Sequence, residues 1–309
     1  PGGIAASLLR TAHLDFPEHF SRICRKGPLM LRVAIPNKGI LSESAIEMLK
    51  EAGYQTRRDS QELHLVDQAN ETEFFYLRPR DIATYVGSGS LDVGLTGLDL
   101  LMDSESPAEE IADLGFGGST FRFAGPEESG FMSPQDLQGK RLATAYPTLI
   151  ANHLLKLGVQ CEIVKLDGAV ESAVKLGVAD AVADVVSTGN TLRKAGLQIF
   201  GDTILSSTAR LIAAPGKAQA AATLLMRLKG VLVARKFVII DYDCPKTCLE
   251  AATAITPGIE SPTISPLANP DWVAVRALVP AATTNEIMDQ LYAVGARAIL
   301  VSAIHAARI

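Results

Sequence analysis

Glu171 and Asp184 stand thirteen positions apart, and the second of them opens the stretch DVVSTGNTL. Within it Ser187, Thr188, Gly189, Asn190 and Thr191 follow the apolar run VADAVADVV and precede LRKAGL, which reads as one helical turn and a stop. A loop between a strand's carboxyl end and a helix start exposes backbone N–H groups at the positive end of the helix dipole. Gly189 lets the backbone approach a ligand closely, and Ser187, Thr188 and Thr191 add hydroxyl donors. Such a loop suits a phosphate. Asp184, at the strand end, suits ribose hydroxyls or a magnesium ion. The plainer reading is a turn in which Thr188 caps a helix. The loop alone leaves both readings open.

Three further stretches carry charge or small polar groups at strand ends. Lys38 in PNKG follows an apolar run, where an ammonium meets a phosphate or stands solvated in a loop. Arg78 and Arg80 in LRPRD are candidates for a triphosphate or for surface ion pairs. Thr96, Gly97 and Asp99 in GLTGLD form a second small-residue turn, either lining a nucleotide cleft or capping a helix.

These stretches need elements to hold them. LRVAIP (31–36) reads as a buried strand, and the next segment as a helix capped by Ser42 and stopped at Gly53. EFFYLRP (73–79), LDVGLTG (91–97), STFRFAGP, KRLATAYP (140–147), CEIVKL (161–166) and AVADVV read as strands. Helices are expected at DIATYVG, LDLLMDS, 150–159 and AVESAVKLGVAD, so strands and helices alternate in an α/β pattern. From 237 the order becomes βαββαβ: 237–243, 245–255, 262–267, 272–280, 283–295 and 298–304. Thr283 and Glu286 are spaced as a capping box. The Ala-rich helical stretch 216–235 joins this last module to the rest.

Composition narrows the function classes. Of 309 residues, 48% are hydrophobic and 20% charged, which suits sizeable cores. A net charge of −5 argues against a non-specific nucleic-acid binder, which needs a basic surface. Cys24, Cys161, Cys244 and Cys248 match neither a zinc ribbon nor a redox pair, and the histidines form no metal motif. Reduced thiols and a cytoplasmic protein without a membrane span are expected. A dedicated metal cage is not, although Mg2+ arriving on a substrate phosphate is compatible. Residues 1–29 read as an extension outside the fold.

The stretch from Glu171 to Leu192 resembles the signature of the ATP phosphoribosyltransferase family. Glu171, Gly177, Ala179, Val182, Asp184, Val185, Thr188, Gly189, Thr191 and Leu192 occupy its fixed positions. Asn190 departs from the arginine common at that place, so that arginine's contact is not carried over. LRVAIPNKG, EFFYLRPRDIATYVGSG, DVGLTGLDLL, LATAYP, LDGAVE, DYDCP, ATAITPGIESPTISPL, WVAVRALVP and GARAILVSAI extend the likeness over nearly all of 30–309, in the long form that carries its own regulatory module.

The resemblance implies two periplasmic-binding-protein-like lobes with a cleft and a C-terminal ferredoxin-like regulatory domain. Lobe I would span 30–122 with a return at 206–235, lobe II 123–205, and the regulatory domain 236–309. Hinge crossings would fall near 120–125 and 205–212. The implied reaction joins N1 of ATP to the anomeric carbon of phosphoribosyl pyrophosphate (PRPP), with Mg2+ as cofactor and pyrophosphate leaving. Glu171, Asp184 and Lys38 would serve catalysis. Asp184 with Ser187, Thr188, Gly189, Asn190 and Thr191 would hold PRPP, and Lys38, Arg78, Thr96 and Asp99 would hold ATP. L-Histidine would inhibit through Asp243, Ile259, Thr263 and Ala298; for Ile259 and Ala298 plain core packing is the alternative. AMP or ADP are further implied ligands, and assembly as homodimer or homohexamer is implied too. Two competing readings are a two-lobed binding module, which has no use for the paired acids, and a relative that binds nucleotide without turnover.

Overall fold

The computed structural model describes residues 30–57, 59, 61–186 and 189–308. The first lobe is built from β1 (Leu31–Pro36), α1 (Ile40–Glu51), β2 (His64–Asp67), β3 (Thr72–Leu77), α2 (Pro79–Gly87), β4 (Val93–Gly97), α3 (Leu98–Ser104) and β5 (Glu109–Asp113). The second holds β6 (Ser119–Pro126), β7 (Arg141–Thr144), α4 (Pro147–Leu157), β8 (Glu162–Lys165), α5 (Ser172–Lys175), β9 (Ala181–Val186), α6 (Asn190–Lys194) and β10 (Leu197–Ser207). The chain returns to the first lobe through β11 (Ala209–Ala213) and α7 (Ala222–Lys236). The last unit is β12 (Phe237–Pro245), α8 (Leu249–Ile255), β13 (Thr263–Pro266), β14 (Trp272–Pro280), α9 (Thr284–Ala293) and β15 (Arg297–Ala303).

The sheet of lobe I runs β2-β3-β1-β4-β11-β5, and that of lobe II runs β10-β6-β9-β7-β8. β1 is parallel to both β3 and β4, and β7 to both β8 and β9. In each lobe the strand arriving from the other lobe inserts antiparallel, β11 beside β4 and β6 beside β9. This doubled topology is the periplasmic-binding-protein-like arrangement. β1 is buried from Val33 to Pro36, which is why the stretch after Arg32 reads as an apolar run.

The first crossing occupies 114–118, where the Leu114 N–H donates to the Ala209 carbonyl and the Ala209 N–H to the Phe116 carbonyl, both at 2.9 Å. It therefore precedes the expected 120–125, because Thr120 already pairs with Val186 inside lobe II. Thr208 forms the return, its hydroxyl donating to Asp113 at 2.8 Å while Arg210 pairs with Asp113 and Glu110.

Lobe I packs Val33, Ile35, Met48, Leu49, Phe74 and Tyr76 around Leu224 and Leu228 of α7. The Ala-rich segment is thus part of that core as well as the link to β12, and each buried leucine contributes about 2 kcal/mol. Lobe II packs Phe121, Phe123, Leu142, Ile150, Leu154 and Phe200. The last sheet runs β13-β14-β12-β15, all antiparallel, in ferredoxin-like order, with a core that includes Ile240, Tyr242, Val275 and Leu291.

Several local expectations change. Ser42 lies buried inside α1, which starts at Ile40 after Gly39, and the Ser42 hydroxyl receives Arg57 instead of capping. The helix expected over 169–180 shrinks to the four residues of α5. Thr283 precedes α9 without a side-chain cap, so its box with Glu286 does not form. β2, β5, β10 and β11 had no counterpart in the sequence reading.

Candidate active site

A cleft of about 930 Å3 opens between the lobes. From lobe I it is lined by Lys38 after β1, Arg78 and Arg80 around the start of α2, and Asp99 in the first turn of α3. From lobe II come Tyr146, Asp167 and Val185, and from the crossings Gly117, Ser119 and Ser207. Arg78 is held extended because it precedes Pro79, and this sets the guanidinium at the helix entrance.

Asp99 is 7% exposed. Its carboxylate accepts from the Ser207 hydroxyl at 2.8 Å, and that hydroxyl oxygen accepts from the Asp99 N–H at 3.2 Å. Gly97 makes the room: a Cβ there would stand 2.3 Å from the Asp99 carboxylate. Burial raises the Tyr146 phenol far above its ordinary value, and the Asp99 carboxylate, which it hydrogen-bonds, adds to this. Arg80 stacks over the Tyr146 ring at 4.9 Å.

Asp184 lies inside β9, opposite Arg122 of β6 and directly before the cleft-lining Val185. Burial pushes its carboxyl above the usual aspartate range, and Glu171 and Asp99 push it further; the Val185 N–H and Arg80 oppose this and offset it only in part. Glu171, at the entrance of α5, is therefore an electrostatic neighbour of Asp184 although it lies thirteen positions upstream. Gly189 takes a left-handed conformation (φ 71) just before α6, in which Asn190 accepts from Arg193 at 2.7 Å. Thr191 is exposed in the same short helix. Ser187 and Thr188 lie outside the described residues.

Thr96 corrects the sequence reading. It is fully buried in β4, and its hydroxyl donates to the Pro79 carbonyl at 3.1 Å, so it braces α2 and does not reach the cleft. Sequence reasoning missed Ser207, Asp167 and Asp103. Arg80 was a candidate for a triphosphate, and nothing in LRPRD or ATAYP signals that it meets Tyr146.

The four residues expected to bind histidine do not share one cavity. Ile259 and Thr263 line a pocket of about 480 Å3 with Glu260, Arg276 and Ile304, whereas Asp243 and Ala298 do not. Asp243 pairs across β14 with Ala274, and Thr263 with Arg276. Opposed residues of antiparallel strands share a face, so Asp243 and Thr263 both face away from the side packed by Tyr242 and Val275. Ala298 sits at a bulge with φ 50. Ile259 is 45% exposed, so plain core packing does not describe it.

Among the described residues, no group of three or more His, Cys, Asp or Glu side chains is placed to hold a metal ion, and no helix is long and apolar enough to cross a membrane.

The fold and the cleft define a two-lobed α/β protein that brings cationic and acidic side chains together between hinged lobes. The ATP phosphoribosyltransferase family profile matches residues 78–230, and the profile described as HisG, C-terminal domain matches 234–306. The chain is 61% identical over 285 residues to an ATP phosphoribosyltransferase of Pseudarthrobacter chlorophenolicus, covering 91% of this chain and all of the relative. It is 57% identical over 286 residues to the one from Streptomyces coelicolor, with the same coverage. The solved ATP phosphoribosyl transferase (HisG:HisZ) complex from Thermotoga maritima superposes with a TM-score of 0.57 at 30% identity, covering 66% of this chain and 98% of that one. The chain belongs to the ATP phosphoribosyltransferase family, in its long form, and so to the pentosyltransferases of the first step of histidine biosynthesis.

Proposed function

We propose that the interlobe cleft binds ATP and PRPP together and transfers the phosphoribosyl group to N1 of adenine. The observation that carries this reading is the convergence of Lys38, Arg78 and Arg80 with Asp99 on one space between two hinged lobes, with Asp184 close enough to feel Arg80 and Asp99. The N1 lone pair attacks the anomeric carbon, the bond from that carbon to the pyrophosphate oxygen breaks, and pyrophosphate leaves. Glu171 and Asp184 hold the ribose hydroxyls, and the loop 187–191 holds the 5′-phosphate. Lys38, Arg78 and Asp99 face ATP, with the two cations on its phosphates. Catalysis is then orientation plus electrostatic relief, with no covalent enzyme intermediate.

Mg2+ fits this donor set as a substrate-borne ion. Asp184 and Glu171 would be its protein ligands, since Glu171 disfavours the charged form of Asp184 and a cation would relieve that. When bound it offsets the charge of the departing pyrophosphate. Gly189→Ala tests the phosphate loop: a left-handed alanine costs about 1–2 kcal/mol, so KM for PRPP should rise about 5- to 30-fold with KM for ATP unchanged. An unaltered KM for PRPP would remove the loop from the site.

L-Histidine is proposed as the feedback inhibitor, bound on the outer face of the C-terminal sheet near Asp243 and Thr263. Leu300 is exposed on that face, and Ile264 and Val301 are exposed on the edge strands β13 and β15, which supports assembly of several copies. The experiment is turnover of ATP plus PRPP with Mg2+ and pyrophosphatase, followed by the ultraviolet change on N1 substitution, with and without L-histidine. Product formation suppressed by histidine is expected. Product indifferent to histidine removes the inhibitory site and keeps the enzyme.

A further inference from the structure

Helix α4 begins without a cap of its own. Tyr146 at its N-cap makes no side-chain cap bond, and Pro147 in the first position has no N–H to offer. The next two amides, Thr148 and Leu149, both donate to Asp103 Oδ1, at 3.0 and 3.1 Å. Asp103 belongs to α3 of lobe I, so a helix of lobe II is capped from across the cleft. Asp103 Oδ2 meanwhile accepts from Arg80 Nη1 at 3.0 Å, and the carboxylate side chain is only 8% exposed. Arg80 in turn stacks on Tyr146, the residue immediately before α4, and both line the cleft.

We propose that Asp103 is a positioning residue: an interlobe clasp that holds α4 against α3 and sets Arg80 and Tyr146 in the cleft as one unit. The physical reason is that a helix start leaves amides without partners. With no local cap, those two amides are satisfied by protein only while the lobes stand at this separation. The two crossings near 114–118 and 208 allow hinge motion; the clasp selects one angle from it. A carboxylate bridging two amides and a guanidinium is also the strong, charge-assisted kind of contact.

The consequence follows from population arithmetic. A ligand that binds only the closed form shows its intrinsic dissociation constant divided by the closed fraction. Loss of the clasp lowers the closed fraction before binding, whereas saturating ligand restores it. The proposal rests on the reading that this cleft holds both substrates. Asp103→Ala should therefore raise KM for ATP and for PRPP together, by about tenfold, with kcat changed by less than about threefold. Hydrogen–deuterium exchange should accelerate at Thr148 and Leu149. Asp103→Asn keeps an oxygen for both amides but turns an NH2 toward Arg80, so it should restore their protection and only part of both KM values.

A merely structural cap would reduce the amount of active enzyme, lowering kcat and leaving both KM values alone. That result, or wild-type kinetics in Asp103→Ala, overturns the proposal. So does an asparagine variant that regains amide protection with no recovery of either KM. If the wild-type protein fails to turn over ATP and PRPP, the reading of the cleft fails instead. In that case amide exchange of the alanine variant still decides whether the clasp exists.

Discussion

Asp184→Asn is expected to lower kcat/KM by about 100- to 1,000-fold while raising the melting temperature of the ligand-free protein. The two effects share one cause. Burial, Glu171 and Asp99 all disfavour the charged form of Asp184, and the Val185 N–H and Arg80 do not fully offset them. Its folded pKa is therefore above the unfolded value. A carboxyl with a raised folded pKa binds more protons in the folded state, so stability falls as pH rises from the ordinary aspartate value through the folded one. At neutral pH the full penalty is present. Asparagine keeps the size and removes the charge, so it removes both the penalty and that pH dependence. The same neutralisation takes away the acceptor proposed for the ribose hydroxyls and the ligand proposed for substrate-borne Mg2+. Thermal unfolding at pH 7.5 and steady-state kinetics on the same preparation are sufficient. A variant that is both less stable and less active would mean that Asp184 holds the fold rather than the substrate.

Such opposition between stability and activity is expected wherever a site stores like charges for a ligand to neutralise. The cleft has the marks of that arrangement. Asp99 and Glu171 both disfavour the charged form of Asp184, while Arg80 is divided between Asp103 and the Tyr146 ring. Incoming phosphates, with their cation, redistribute these partners.

Much of the fold was legible because its strands are flanked on both sides and so read as apolar runs; β1, β3, β4, β6, β7 and β9 all belong to that kind. What escaped was short, polar or irregular. β2 and β5 are edge strands of four and five residues. β10 is broken by a register shift between Phe200 and Leu205, around Gly201 and Asp202, and so shows no clean alternation. In the cleft, Lys38, Arg78 and Asp99 could be singled out because each follows a strand or opens a helix, and beside it Asp184 stands out as a charge within the apolar run of β9. Ser207 and Asp103 could not, because their partners are 108 and 45 positions away and nothing local marks either one. Thr96 misled for the converse reason: a threonine beside a strand-to-helix turn looks available, and only the packing of α2 shows its hydroxyl bound to the Pro79 carbonyl.

Arg57→Ala is the change expected to have the largest effect on stability, and it reaches the cleft without touching it. The residue is 8% exposed. Its guanidinium donates to the Asn37 carbonyl at 2.7 Å and to the Ser42 hydroxyl and Glu62 carbonyl at 3.3 Å. It also lies over the Tyr76 ring at 4.3 Å. These contacts join the loop after β1 to α1, to the 55–62 segment and to the centre of the lobe I sheet. Deleting the side chain strands several buried acceptors and leaves a void, at a cost of about 2–4 kcal/mol. Lysine would not restore it, because a point charge cannot serve three acceptors and a ring face in one plane. Lys38 follows Asn37 directly, so a loosened loop should raise KM for ATP while KM for PRPP, held mainly from lobe II, moves less. Denaturant unfolding gives the first quantity and substrate titrations the second. A loss below about 0.5 kcal/mol, within the range of an ordinary surface substitution, would mean that the loop is held by its backbone alone. Lys38 would then owe its position to Gly39 and the start of α1, not to the buried arginine beneath it.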